Sequence, residues 1–306
     1  MKIVFHSGAH KTASTHLQIN LKLNKELINS KGIAYFEFKD IKGMREAANH
    51  LRKVFSNEDQ TEANRHKAFI KDAINENIKG YESAIISFEG VFGTMNMYNQ
   101  KDLYPDAEEL IKIYKEILEG HEVTAVYAIR EYEGFYHSSY NWLLKNIEYD
   151  KRYDQYIKTS SYSKNRWSQI IDALDRAFDK TRIFTIEDYK TSSKEITRRI
   201  IELTGADIKM EELVFEEKEK NVSGNKDNLN YYYTLNKISS PFGKSAKKRR
   251  IMLKIKDKLQ SVFESGLMSK FLMSYSKGKI EKRSTPEDYK NEVIKIKEKF
   301  GILEKQ

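Results

Sequence analysis

The chain has 306 residues, of which 39% are hydrophobic, and it carries a formal net charge of +9 and no cysteine. This composition can fill a core, and the absence of cysteine excludes disulfides, thiol catalysis and thiolate-bound zinc. No apolar run reaches the roughly 20 residues that a membrane-spanning helix needs, and the N-terminus lacks the features of a signal peptide, so we expect a cytoplasmic protein.

Short apolar, β-branched runs alternate with longer segments of helical periodicity as far as Gly205. The predicted strands are Lys2–His6, Ile33–Phe38, Ala84–Phe88, Val123–Ile129 and Arg182–Ile186. Helices are predicted between them, including Thr15–Ser30 and a helix at Pro105–Leu118 with Pro105 in its first turn. The alternation predicts an α/β fold in which helices flank a central parallel sheet.

The loop between the first predicted strand and helix, Ser7–Ser14, has the features of an anion site. At a helix N-terminus, free backbone N–H groups and the helix dipole point at whatever occupies the loop. Further donors and positive charge come from Lys11, Thr12, Ser14 and Thr15. The Walker A pattern GxxxxGK[ST] does not match, because only two residues separate Gly8 from Lys11 and no glycine directly precedes the lysine.

A second candidate anion site follows the fourth predicted strand. Arg130 stands at the carboxyl end of that strand, and Ser138 lies eight positions later on the next predicted helix. A strand-terminal arginine can bind a phosphate bidentately, and a hydroxyl in the early turns of the next helix can share the same anion. Either residue alone is more often an ordinary surface side chain, but two such sites together favour phosphate binding.

The residues HSGAHKTASTHLQ, His6 to Gln18, resemble the 5′-phosphosulfate loop of sulfotransferases that use 3′-phosphoadenosine 5′-phosphosulfate (PAPS). The bacterial branch of this family has the pattern H-x-G-x-H-K-T-G-T-T-x-L-Q, from which Ala13 and Ser14 depart. Its pattern R-[RD]-P-x5-S-x-Y is matched by Arg130, Ser138 and Tyr140, while Glu131 and Tyr132 depart from it. Weaker similarities extend to Lys237. The resemblance implies the P-loop-like architecture of sulfotransferases.

The resemblance also implies a reaction, in which a sulfuryl group passes from PAPS to a hydroxyl acceptor, expected to be a carbohydrate, without a metal. Lys11 would be the electrostatic catalyst. The general base would be Glu89, after the third predicted strand, or His50, after the second. The implied donor-binding residues are His10, Lys11, Thr12, Ala13, Ser14, Thr15, Arg130 and Ser138.

Two other functions fit the same residues. One is a P-loop-like kinase that uses ATP and magnesium, with Glu89 as the magnesium-binding acid. The other is a noncatalytic protein that binds a nucleotide or a glycan. A zinc site at His6, His10 and His16 is disfavoured because no further ligand stands at a recognisable spacing. No nucleic-acid partner is expected, since the chain lacks a recognisable reading module.

The positive charge is concentrated near the C-terminus. Lys244–Lys299 contains 17 Lys and Arg against 7 Asp and Glu, whereas the rest contains 37 against 38. We therefore predict a sulfotransferase-like domain over residues 1–240 and a basic helical extension over residues 241–306. Within the extension, Lys247–Met273 has the periodicity of an amphipathic helix, which could dock on the domain or contact an anionic membrane surface. A solvated lysine-rich surface would explain the charge equally well.

Overall fold

The computed structural model describes residues 1–54, 60–94, 103–147, 149–159, 166–216, 226–239 and 286–300. The strands are β1 (Lys2–Gly8), β2 (Ile33–Glu37), β3 (Ser83–Ser87), β4 (Glu122–Ile129) and β5 (Lys180–Thr185). The helices are α1 (Ser14–Leu23), α2 (Lys25–Ser30), α3 (Met44–Val54), α4 (Gln60–Ile78), α5 (Ala107–Ile117), α6 (Tyr132–Asn146), α7 (Tyr153–Thr159), α8 (Trp167–Ala177), α9 (Ile186–Glu202), α10 (Lys226–Ser239) and α11 (Pro286–Phe300).

The strands form one sheet in the order β2-β3-β1-β4-β5, and every neighbouring pair is parallel. In the centre, Val4 of β1 is opposite Ile85 of β3 and Thr124 of β4. The predicted α/β class with a central parallel sheet is therefore confirmed. Each predicted strand end lies within two residues of the observed one, which is the usual uncertainty of element boundaries.

Both faces of the sheet are covered, because successive strand residues point to opposite sides. Val4 belongs to a buried cluster with Leu17 of α1 and Ile200 of α9. Phe5 faces the other way and stacks on Tyr114 of α5, with 5.5 Å between ring centroids. This two-sided burial explains why the strands read as nearly continuous apolar runs.

Two helix predictions need correction. The segment predicted as one helix, Thr15–Ser30, is interrupted at Asn24, whose side chain donates to the Val214 carbonyl (2.7 Å) and accepts from the Val214 N–H (2.8 Å). This long-range pairing is invisible to periodicity. The helix predicted from Pro105 begins at Ala107 instead, so Pro105 precedes the helix and is not in its first turn.

The C-terminal helix α11 packs on the sheet domain beside α8 and β5. Lys297 pairs with Asp188 of α9, and Lys299 pairs with Asp172 of α8, each at 2.7 Å. The amphipathic helix predicted at residues 247–273 lies outside the described residues. Within the described part of the chain, no helix combines the length and the apolar character needed to cross a membrane.

Candidate functional site

The candidate site lies at the carboxyl ends of β1 and β4. From β1 the chain moves to β2 on one side of the sheet, and from β4 it moves to β5 on the other. Ligands of open α/β sheets bind at such a switch point. The two strand ends are close together here, because the Ala9 N–H donates to the Ala128 carbonyl (2.9 Å), and a Cβ on Gly8 would lie only 2.9 Å from the Ala128 Cβ.

The loop after β1, residues 9–13, is held in a tight turn. Lys11 and Ala13 have positive φ angles of 65° and 64°. The Thr12 hydroxyl donates to the Ala9 carbonyl (2.7 Å) and lies 3.3 Å from the Ser14 hydroxyl. Helix α1 begins at once, at Ser14. No described group accepts from the backbone N–H groups of residues 12–15, so this helix N-terminus presents free donors to an anion.

The side chain of Lys11 is exposed and forms no ion pair with any residue in the described ranges. Its charge is therefore available to a ligand. The exposed hydroxyl of Thr15 is one helical residue beyond the buried Ser14, on the same first turn of α1. The loop and the helix thus offer a cation, hydroxyls and backbone donors within a few residues of one another.

Glu89, two residues after β3, contacts this loop directly. Its Oε1 accepts from the Lys11 N–H at 3.0 Å. Burial raises the pKa of Glu89, whereas the hydrogen bond from the Lys11 backbone and the charges of Lys11 and Arg45 act in the opposite direction. A carboxylate in this position, with a raised pKa, can accept a proton from a reacting hydroxyl.

His10 is held by Tyr104, which precedes α5. The Tyr104 hydroxyl accepts from the His10 N–H (2.9 Å) and lies 2.5 Å from the ring Nδ1, to which it can donate. Burial, followed by the charges of Arg52 and Lys11, lowers the pKa of His10 to about 3, so the ring is neutral at physiological pH. His10 therefore fixes the loop and adds no charge to it.

Arg130 reaches the loop from β4. Its Nη1 donates to the Lys11 carbonyl at 3.0 Å, and its own carbonyl accepts from the Trp167 indole at 2.8 Å. Its Nε is buried and has no partner among the described residues. The guanidinium lies over Gly134 in the first turn of α6, where an added Cβ would be 2.8 Å from Nη2. The structure thus brings the two predicted anion sites together, and the Arg130 side chain keeps one buried donor without a partner among the described residues.

The remaining residues of the predicted second site lie on α6. Ser138 is partly exposed in the second turn of this helix, which begins two residues after Arg130. Tyr140, which also matches the family pattern, is fully buried, and its hydroxyl donates to the Lys151 carbonyl (3.0 Å). Tyr140 therefore serves the core, whereas Ser138 keeps a surface that a ligand can reach.

His50 lies on the surface formed by α3 and α4. Its Nδ1 is 2.9 Å from the Glu46 carbonyl of the same helix, and its ring stacks on His66 of α4 with centroids 4.8 Å apart. These contacts are not with the loop after β1. Of the two candidate bases, the structure brings Glu89 into contact with that loop and leaves His50 on the outer helix surface.

The three N-terminal histidines have separate partners. His6 is hydrogen-bonded to the Ser87 hydroxyl and His16 to the Tyr189 hydroxyl, both at 2.8 Å, while His10 contacts Tyr104. Across the described ranges, no group of three or more His, Cys, Asp or Glu side chains is placed to hold a metal ion.

The sequence analysis did not identify three residues that shape the candidate site. Tyr104 holds His10 from 94 positions away, and Arg52 of α3 donates to the Gly90 carbonyl (3.0 Å) in the loop after β3. Gly134 leaves room for the Arg130 guanidinium. Only Gly134 had a local signal, as a glycine in the first turn of a predicted helix four residues after a candidate ligand.

No family model and no curated protein matches this chain. A crystal structure of a sulfotransferase from Alicyclobacillus acidocaldarius is similar in fold, with 10% sequence identity and a TM-score of 0.40, over 80% of this chain and 98% of that one. The residues of this chain must therefore carry the functional conclusion.

Proposed function

We propose that the protein is a sulfotransferase that moves the sulfuryl group of PAPS to a hydroxyl acceptor, with a carbohydrate as the acceptor class. One observation carries the proposal: Arg130 donates to the Lys11 carbonyl at 3.0 Å, so the two candidate anion sites lie side by side. Each site retains free donors. This arrangement suits a nucleotide with anionic groups on both the 5′ and the 3′ side of its ribose.

The two sites divide the donor between them. The free N–H groups of residues 12–15, with the hydroxyls of Ser14 and Thr15, would hold the 5′-phosphate. The unpartnered Nε of Arg130 and the accessible hydroxyl of Ser138 would hold the 3′-phosphate. Because ATP lacks a 3′-phosphate, Arg130 would make the site selective for PAPS.

In the proposed reaction the acceptor oxygen attacks sulfur, the bond between sulfur and the 5′-phosphate oxygen breaks, and adenosine 3′,5′-bisphosphate leaves with the electron pair. The acceptor proton goes to Glu89, whose pKa is raised by burial, which makes it a stronger base than an ordinary carboxylate. The exposed ammonium of Lys11 neutralises the charge that develops on the leaving oxygen. The Lys11 N–H bond to Glu89 fixes the base relative to the lysine backbone.

A kinase is the second candidate, and one observation favours it. Glu89 follows β3, which is directly beside β1, and a magnesium-binding acid follows a neighbouring strand in P-loop NTPases. A kinase would bind ATP with magnesium and would tolerate the loss of Arg130.

The two candidates are separated by calorimetric titration of the protein with adenosine 3′,5′-bisphosphate without metal, and with ATP plus magnesium. We expect the bisphosphate to bind without metal, and Lys11→Ala to weaken it. Arg130→Ala should weaken it by about 10- to 100-fold, since a hydrogen bond to a charged group contributes about 1.5–3 kcal/mol. Arg176→Ala, which removes an exposed arginine of α8 that pairs with Glu108 of α5, is the matched control and should change nothing. Preference for ATP, or full bisphosphate affinity in Arg130→Ala, would overturn the proposal.

A further inference from the structure

The C-terminal helix α11 contributes a carboxylate, Glu292, to the start of two other helices. Its Oε1 accepts from both the N–H (3.0 Å) and the hydroxyl (2.9 Å) of Ser168, in the first turn of α8. Its Oε2 accepts from the hydroxyl of Tyr132 (2.6 Å), the first residue of α6. A carboxylate at a helix N-terminus gains from the helix dipole and from charge-assisted hydrogen bonds. Glu292 therefore ties the starts of α6 and α8 to α11.

Tyr132, which Glu292 contacts, and Trp167, the neighbour of Ser168, connect Glu292 to the proposed donor site. The rings of Tyr132 and Trp167 are stacked, with centroids 5.7 Å apart and planes 5° from parallel. The Tyr132 hydroxyl also accepts from the Trp167 N–H (3.0 Å), and the Trp167 indole donates to the Arg130 carbonyl (2.8 Å). Arg130 in turn donates to Lys11. An unbroken series of contacts thus runs from the last described helix to the loop after β1.

We propose that Glu292 is a positioning residue for the 3′-phosphate end of the donor site. It fixes the Tyr132 and Trp167 pair, and this pair fixes the backbone from which the Arg130 side chain extends. This inference rests on the proposed function and assigns α11 a part in donor selectivity. A bidentate contact depends on the placement of the guanidinium to within about 1 Å, so release of Trp167 would weaken 3′-phosphate binding in particular.

The alternative is that Glu292 only docks α11, and the chain offers a control for it. Lys299 also docks α11 on α8, through Asp172, but this ion pair is exposed and touches neither Tyr132 nor Trp167. Glu292→Ala and Lys299→Ala both remove a docking contact of the same helix. Only Glu292→Ala interrupts the contacts that lead to Arg130.

The test is calorimetric titration of the full chain with adenosine 3′,5′-bisphosphate and with adenosine 5′-monophosphate, which lacks the 3′-phosphate. We expect Glu292→Ala to weaken the bisphosphate about tenfold and to leave the monophosphate unchanged, while Lys299→Ala changes neither. In an Arg130→Ala background, Glu292→Ala should cause no further loss, because it acts through Arg130. Glu292→Gln retains an oxygen acceptor for Ser168 and should recover part of the affinity; it also replaces Glu292→Ala if that variant does not fold.

The outcomes separate this inference from the proposed function. A wild-type protein that binds the two nucleotides equally contradicts the proposed function itself. A wild-type protein that prefers the bisphosphate, combined with equal losses for both nucleotides in Glu292→Ala, contradicts only the role of Glu292. Additive losses in the double variant Arg130→Ala with Glu292→Ala would contradict it as well.

Discussion

The two sides of β1 serve its loop in different ways. On the β3 side, Glu89 accepts from the Lys11 N–H and Tyr104 holds His10, so these polar groups already have partners in the protein. On the β4 side, Arg130 makes one side-chain bond to the loop and keeps its buried Nε free among the described residues. The β3 side therefore holds the loop and, in the proposed function, would supply the base, whereas the β4 side would bind the donor.

This difference predicts that substitutions on the β3 side change rate and stability, while those on the β4 side change donor affinity. The largest effect is expected at Glu89. In Glu89→Gln the amide oxygen can still accept from the Lys11 N–H, so the loop and the affinity for adenosine 3′,5′-bisphosphate should be retained. Proton transfer is lost, and we expect the transfer rate to fall by about 10²–10⁴-fold. The measurement is sulfate transfer from PAPS to a carbohydrate acceptor identified by screening.

The pH dependence of this rate sharpens the prediction. A base works deprotonated, and burial raises the pKa of Glu89 above its ordinary 4.5, so the wild-type rate should rise with pH through a value higher than 4.5. This rise should vanish in Glu89→Gln. Glu37→Gln is the control, because Glu37 is a buried carboxylate at the end of the next strand, β2, paired with Lys39. A rise that survives in Glu89→Gln, or that disappears in Glu37→Gln, would rule out Glu89 as the base.

The sequence predicted those features of the protein that depend on local residue patterns. Apolar runs predicted the strands. The same local patterns predicted Lys11 and Arg130, which follow strands, as anion ligands, and this stays a prediction. The contact between Glu89 and Lys11 follows only from the adjacency of β3 and β1, which local patterns do not specify. His50 could line the site only if its side chain pointed toward the core, and it instead points outward and stacks on His66 of α4. The sequence of α3 did not show on which face of the helix His50 lies.

Contacts between segments far apart in the sequence could not be predicted. The Tyr104 hydroxyl meets His10 across 94 positions, and Glu292 meets Ser168 across 124. Each of these side chains lies in a helix or turn whose local pattern would accept many other polar residues. Only the tertiary packing of α5, α8 and α11 brings them to the site.

An intermediate effect is expected at Tyr104. Tyr104→Phe leaves the partly buried His10 N–H without its acceptor, and an unsatisfied donor shielded from water costs about 1–3 kcal/mol. We expect the free energy of unfolding, measured by denaturant titration, to fall by this amount. Tyr127→Phe is the matched control, because the Tyr127 hydroxyl is buried and has no partner in the described part of the chain, so its removal should cost nothing. Equal losses in the two variants would show that Tyr104 contributes only its ring.

The smallest effect is expected at Ala13, and it concerns the loop alone. The family pattern that the loop resembles has glycine here, and Ala13 has a φ of 64°. The left-handed conformation costs a residue with a Cβ about 1–2 kcal/mol, of which the greater flexibility of glycine in the unfolded chain offsets about 0.4–1 kcal/mol. Ala13→Gly should therefore raise the free energy of unfolding by up to about 1.5 kcal/mol. The control is Ala9→Gly in the same loop, since Ala9 is fully buried and has no positive φ, so this change should destabilise the protein. Opposite signs for the two variants would place the strain at Ala13, and a loss of stability in both would show that the loop tolerates the left-handed alanine without cost.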